Sequence, residues 1–571
     1  MTRPRSPLHR LARTLMLLAA FALPVQGLHA QAQTPAAPLR LPALGESAAE
    51  DFSVSAERRL GDEIMAEIRR DPAYLDDPLL LEYLQSLWQP LVQAARARGD
   101  IDADTGSQFA WEAFLVRDKS VNAFALPGGF VGVHLGLIAM THTRDQLASV
   151  LAHELTHVTQ RHIARSITTQ QRQTLLSVAG MILALLAASR ADSPDLAQAA
   201  VMGGQAAALQ GQLNFSRDME READRIGFAL LDGANFDPAG MSTMFELMDR
   251  ANRFNDSNAY PYLRSHPLTL ERQSEARLRL HGAAPRAQAD VNELHELMSA
   301  RARVLMDTSV AALRRLQELP ATRSAQAASA LIAGKEAQDG AQEARPGEAP
   351  RLAALYTSAL ASSLLREHGV AAQRLRQARA LLAAGPAPST AAARALDLLD
   401  AELRLAADDA LGALQRVTTL RERGPDAAHE RPLLMLQGHA TLLLPAGVRE
   451  AALRDVTERL QSWVALHPQD AMGWLLLGNC AEAQGQRLRA LRAQAEARLL
   501  IGDLTGAIDR LAAGRQLVQS GQAGKSGADF IEASIIEARW RELQARRRAL
   551  IAERGGRVDE REWAGREQSR P

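Results

Sequence analysis

Five residues, His153-Glu154-Leu155-Thr156-His157, restrict what this chain can fold into more than any other stretch of it. Two histidines four apart differ by only about 40° around a helix axis, so both imidazoles face one point if the segment is helical. Upstream, Thr143-Arg144-Asp145-Gln146 predicts that helix. The Thr143 hydroxyl can take an early backbone N–H, and Gln146 can reach back from the third helical position. The helix so opened is expected to run to about Arg165. Two imidazoles facing one way with a glutamate beside them can share one metal ion and polarise a water, which makes His153 and His157 candidate ligands and Glu154 a candidate base.

Two histidines and a water leave one protein ligand to find. His162 is not favoured, because the extended pattern HExxHxxGxxH needs Gly and His where Gln160 and Ile163 stand. On a continuous helix His162 also lies about 140° round from His157, at a surface position or beside a ligand. The segment Asn214 to Arg225 offers carboxylates instead. Ser216 can cap a helix on which Met219, Ala223, Ile226 and Leu230 form the buried stripe, with Glu220, Asp224 and Gly227 together on one flank. One of that pair can bind metal while the other orients a ligand histidine by bonding its far nitrogen. Glu222 lies on the opposite flank, where pairing with an arginine is expected, and periodicity alone does not choose between Glu220 and Glu222.

A chain of 571 residues is too long for one ordinary domain and implies three or four units, or two with one repetitive. Lys plus Arg equals Asp plus Glu at 66 each, so no global field favours nucleic acid. Aromatics make up only 4% while Ala, Leu, Arg, Gln and Glu dominate, which predicts a mainly α protein. Arg3, Arg5, Arg10 and Arg13, the apolar run Leu15 to Leu23 and the Ala30-Gln31-Ala32 site read as a cleaved secretory signal over 1–32. A proline-containing extended lead-in follows over 33–50. Cys480 is the only cysteine, so no intramolecular disulfide forms and any metal rests on His, Asp and Glu.

Residues 51–319 read as one catalytic unit. Apolar spacing predicts a helix pair between Glu57 and Ala97, then strands around Phe109 to Val116, Val121 to Leu126 and Phe130 to Leu135, the last two joined by Pro127-Gly128-Gly129. Helices are expected at 168–188, 193–211, 216–232 and 238–253. The apolar stretch Leu175 to Ala188 falls short of the ~20 residues a membrane span needs and reads as a buried helix, with lipid contact as the alternative. A linker is expected over 320–350, an α-helical repeat region over 351–520, and a last helix and polar tail over 521–571. Trp474-Leu475-Leu476-Leu477-Gly478, with Ala490 and Ala497 behind it, matches most of a tetratricopeptide repeat.

With the HELTH motif, the run Asn122-Ala123-Phe124-Ala125-Leu126-Pro127-Gly128-Gly129 and Glu220-x-x-x-Asp224, the chain resembles the HtpX and CAAX-prenyl-protease superfamily of zinc peptidases. Its order of signal, peptidase and repeats is similar to the BepA-type branch, the periplasmic β-barrel-assembly-enhancing proteases. The resemblance implies a zincin-type helical domain with a small sheet, one Zn2+ on His153, His157 and Glu220, Glu154 as general base and Asp224 as partner to a ligand histidine. It also draws in Arg264-Ser265-His266-Pro267 and Arg272: His266 as a residue that can shut the resting metal site, and His266 or Arg272 as oxyanion stabiliser. Gln146 departs from the family, which carries an acidic residue there. The implied partners are unfolded or misfolded polypeptides and, through the repeats, the outer-membrane barrel-assembly machinery. The other reading is a repeat-based chaperone or scaffold whose zinc site is structural or latched.

Overall fold

The computed structural model describes residues 52–166, 217–253, 261–280, 289–319, 348–385, 389–424, 430–523 and 527–553. The expected signal and lead-in, the helices expected at 168–188 and 193–211 with their apolar stretch, most of the 320–350 linker and the polar tail after residue 553 lie outside these residues.

The predicted helix pair forms as Val54–Ile68 and Pro78–Arg98. The Ser53 hydroxyl accepts the Ala56 amide, and the Asp77 carboxylate accepts the Leu80 amide, so each start satisfies a backbone donor that has no partner within its helix. Between and beyond them lies a four-stranded sheet of β1 (Tyr74–Leu75), β2 (Glu112–Val116), β3 (Ala123–Leu126) and β4 (Phe130–His134), in the order β1-β2-β4-β3. β3 and β4 are the predicted antiparallel hairpin, turned by Gly128 (φ 78°) and Gly129 (φ 91°), conformations that glycine adopts without steric cost. β2 pairs parallel with β4 and antiparallel with β1. The strand expected from Phe109 starts only at Glu112, because Trp111 turns into the left-handed region (φ 51°) and gives its carbonyl to the Trp88 indole N–H at 2.7 Å.

Alternation along the strands gives the sheet two apolar faces. Phe114, Val116, Leu126 and Phe130 pack with Ile64, Met65 and Ile68 of the first helix. Ala113, Leu115, Ala123, Val131 and Val133 face the larger core, which includes Leu84, Leu91, Leu147, Leu151 and Leu155. The helix bearing the two histidines therefore packs on one face of the sheet, with β3 at the sheet's edge.

Beyond Leu319, ten helices follow among the described residues: Glu348–Leu364, His368–Ala384, Thr390–Ala406, Ala410–Glu422, Glu430–Leu443, Ala446–Leu466, Ala471–Ala483, Arg487–Leu500, Leu504–Gln519 and Gly527–Glu553. Each packs on the one before it. The expected Trp474–Gly478 unit lies on one of them, with Ala490 and Ala497 buried on the next. The array is joined to the sheet-bearing region through one interior: Tyr356, Leu399 and Leu433 belong to the same apolar cluster as Leu84 and Leu151. Buried Arg301 sits at the joint, bound to Asp77 at 2.6 and 2.7 Å, to Glu402 at 2.9 Å and to the Tyr356 hydroxyl at 3.1 Å. Arg431 bridges Asp76 and Asp470 in the same way, every bond 2.8 or 2.9 Å.

Candidate active site

The central helix, Arg144–Thr159, opens much as the sequence predicts: Thr143 Oγ1 accepts the Gln146 amide at 3.2 Å. The Gln146 carboxamide, however, accepts the His142 amide at 2.8 Å, one residue before the cap. The helix stops at Thr159, short of the expected Arg165, because Arg161 adopts φ 51° and a separate turn, His162–Ser166, follows. That conformation costs a non-glycine residue about 1–2 kcal/mol. Buried Glu57 holds it there, accepting Arg161 Nε at 2.9 Å, and the Phe52 carbonyl accepts a second guanidinium nitrogen.

The helix Arg217–Gly233 crosses this one at Gly227. A Cβ at Gly227 would stand 3.3 Å from the Ala152 carbonyl and the His153 nitrogen, a tight contact that would push the two backbones apart by a few tenths of an ångström, so glycine favours this close approach. Asp224 and Glu220, one and two turns earlier, are thereby carried against the histidines. Asp224 Oδ1 lies 3.0 Å from His153 Nδ1. Glu220 comes within 3.5 Å of both His153 Nε2 and His157 Nε2, which are themselves 3.0 Å apart.

His266 follows the short helix Pro261–Ser265 and completes the group. Its Nδ1 lies 2.8 Å from Glu220 Oε1 and 3.3 Å from His153 Nε2, and its Nε2 lies 3.6 Å from Glu154 Oε1. His153, His157, Glu220 and His266 each offer one ligand atom, all within 4.8 Å of one another, and all four residues are buried. Three imidazole nitrogens and a carboxylate crowded together out of water are a donor set that a divalent cation satisfies and protons alone do not.

Arg272, near the start of Leu270–Arg279, has partners other than an open cleft. It donates to Asp224 at 2.6 and 2.8 Å and to the Pro267 carbonyl at 2.9 Å, and stands 2.9 Å from Glu220 Oε2. Burial alone would raise the Asp224 pKa, but the Arg272 guanidinium and His153 more than offset it and hold the carboxylate below its usual range. Glu220 is likewise penalised by burial and held well below the usual range by His266 and His153. Glu154 goes the other way: burial pushes its pKa up, and the opposing pull of His266 and His153 is not enough. Glu154 is completely buried, and its one nearby backbone donor is the Ala125 amide of β3, too weakly aligned to count as a close hydrogen bond. A buried carboxyl of raised pKa with no close hydrogen bond, beside a cation site, is suited to taking up and returning a proton.

Two further neighbours flank the ligand histidines, one of them anticipated among two alternatives and the other missed. His162, expected at the surface or beside a ligand, is fully buried, its Nδ1 2.8 Å from His157 Nδ1 and its Nε2 3.0 Å from Glu222 Oε2. Glu222 also pairs with Arg165 at 3.1 Å, the arginine partner expected for it. Tyr262 stacks on the His266 ring with centroids 4.7 Å apart, and its carbonyl accepts the His266 amide. The four-residue spacing of Tyr262 and His266 was the available signal.

A family model described as Peptidase family M48 matches residues 81–280. Over 490 residues the chain is 31% identical to the Beta-barrel assembly-enhancing protease of Escherichia coli, covering 86% of this chain and 90% of that one. A Putative beta-barrel assembly-enhancing protease of Vibrio cholerae is 36% identical over 268 residues, 47% of this chain and about half, 52%, of that protein. Mitochondrial metalloendopeptidase OMA1 of Schizosaccharomyces pombe is 34% identical over 223 residues, 39% of this chain and 60% of that one.

Proposed function

Since the chain belongs to peptidase family M48, among the beta-barrel assembly-enhancing proteases, we propose that it is an exported zinc endopeptidase that removes misfolded or stalled envelope proteins, outer-membrane proteins above all. In this reading His153, His157 and Glu220 hold one zinc ion, and Asp224, clamped by Arg272, fixes the ring of His153. The observation that carries it is the convergence of His153, His157 and Glu220 from two helices beside the buried carboxylate of Glu154.

Zinc bound there supplies Lewis acidity and lowers the pKa of water at the site. Glu154 does the proton work: it takes a proton from the water as the oxygen adds to the peptide carbonyl, then returns it to the amine nitrogen as the C–N bond breaks. His266 sits among the ligand atoms and closes the resting site. When it swings away, the substrate carbonyl can enter, and the imidazole is then free to stabilise the oxyanion. The bonds Arg272 makes to Asp224 and Glu220 favour a positioning role for it over the oxyanion role. β3, at the sheet edge and against the central helix, offers an extended substrate backbone hydrogen bonds that do not depend on sequence, which suits unfolded chains. The helical array docks substrate or the barrel-assembly machinery, and the work is done in the periplasm.

Degradation of casein and of a misfolded barrel protein by wild type, Glu154→Gln and His266→Ala tests this. Wild type should cleave, His266→Ala should cleave at least as fast on unfolded chains, and Glu154→Gln should not. If the first two are as inactive as Glu154→Gln with zinc bound, the scaffold reading takes its place.

A further inference from the structure

We propose that His162 and Glu222 form a relay that fixes the tautomer and ring angle of His157, and so sets how tightly the site holds its metal. The inference rests on the ligand set proposed above. For His157 to offer the Nε2 lone pair to a cation, its proton must sit on Nδ1, and Nδ1 faces His162 Nδ1 at 2.8 Å. Two ring nitrogens at that distance share one proton, so His162 Nδ1 is the acceptor and its own proton lies on Nε2. That nitrogen then donates to Glu222 Oε2 at 3.0 Å, and Arg165 holds the same oxygen at 3.1 Å. One assignment of protons satisfies the whole line from the metal position to the protein's edge. His153 meets the same need with Asp224, so each ligand histidine has its own outer support, one a carboxylate and the other a neutral imidazole.

The backbone is built for this contact. On an unbroken helix His162 would lie far round the axis from His157; the left-handed Arg161, held by Glu57, turns the chain back so that the two rings meet with centroids 4.8 Å apart.

The test is zinc affinity of the full-length apoprotein, by competition against a chromogenic chelator, for wild type, His162→Phe, His162→Asn and Glu222→Gln. His162→Phe should weaken zinc binding about 10- to 100-fold. His162→Asn, whose amide oxygen can stand where Nδ1 accepts, should recover most of that, and Glu222→Gln should lose a smaller factor. Affinity of His162→Phe within about twofold of wild type, or no recovery in His162→Asn, overturns the relay; outer-support losses of tenfold or more set the scale. If His162→Phe fails to fold by far-UV circular dichroism, Glu222→Gln decides, because its side chain lies at the outer, partly exposed end, and wild-type affinity there overturns the proposal. His157→Ala and Glu220→Gln run alongside: full zinc affinity in these would sink the ligand set itself, a different failure from that of the relay.

Discussion

The sheet-bearing peptidase region and the helical array are both mostly helix, yet they fill their interiors with different chemistry. Around the central helix the buried side chains include His153, Glu154, His157, Glu220, Asp224, His266 and Arg272. In the later helices they are mainly alanine and leucine, such as Ala481, Ala490, Ala493, Leu460 and Leu477, with a few largely buried ion pairs such as Arg431–Asp470 and Arg492–Glu532 and others, such as Arg423–Asp397, reaching the surface. Buried charge is costly and tolerated only while every partner stays in place, whereas apolar packing is spread over many small contacts. The consequence is that single substitutions should act sharply in the first region and weakly at the surface of the second.

The largest effect should come from Glu154→Gln, which keeps shape and removes the proposed base. Its kcat should fall about 10²- to 10⁴-fold with zinc content and melting temperature unchanged. Retained turnover would mean that another group moves the proton. Next in size is Arg301→Ala at the joint of the two regions. It strands Asp77 and Glu402 and should cost about 3–5 kcal/mol in urea unfolding. A cost no larger than that of a surface arginine would erase the contrast.

Acid should also act through the peptidase region. Burial pushes His134 and His295 down to about 4, with Asp118 opposing it for the first and the Thr141 carbonyl for the second. Their unfolded values lie near 6.5. A folded value below the unfolded one means the unfolded chain takes up more protons as pH falls. Each contribution is therefore complete above about pH 6.5 and lost on the way down to about pH 4, on the order of 3 kcal/mol apiece. Unfolding free energies across that window should fall, and less steeply in His134→Asn; identical slopes would refute it. The smallest effect is expected from Arg423→Ala in the array. Its guanidinium is 64% exposed and 3.4 Å from Asp397, so the loss should stay below about 0.5 kcal/mol.

What the sequence made legible follows the same division. The HELTH spacing, the Thr143 cap, the hairpin with its two glycines and the Glu220/Asp224 flank are local patterns, and each stands where periodicity put it. Position around one axis put Glu220 and Asp224 on a common flank, and the family resemblance supplied Asp224 as the partner of a ligand histidine, where it stands against His153. The reading failed where the chain broke its own period. Arg161 carries no glycine signal, so the kink that buries His162 was hidden, and Trp111 shortened β2 in the same way. The pairings of Arg272 and Arg301 depend on partners dozens to hundreds of residues away, which no spacing rule reaches.

The four-way junction at Arg301 has a bearing on how the molecule comes apart. Its guanidinium draws on residues from both sides of the stretch between Leu319 and Glu348, and Tyr356 and Leu399 share an interior with Leu151. A protease that nicked the chain inside that stretch would not liberate two freely diffusing halves. The fragments would co-elute as one particle on a sizing column and part only in denaturant, so a clean band pattern on a gel would be a poor guide to whether the enzyme had been dismantled.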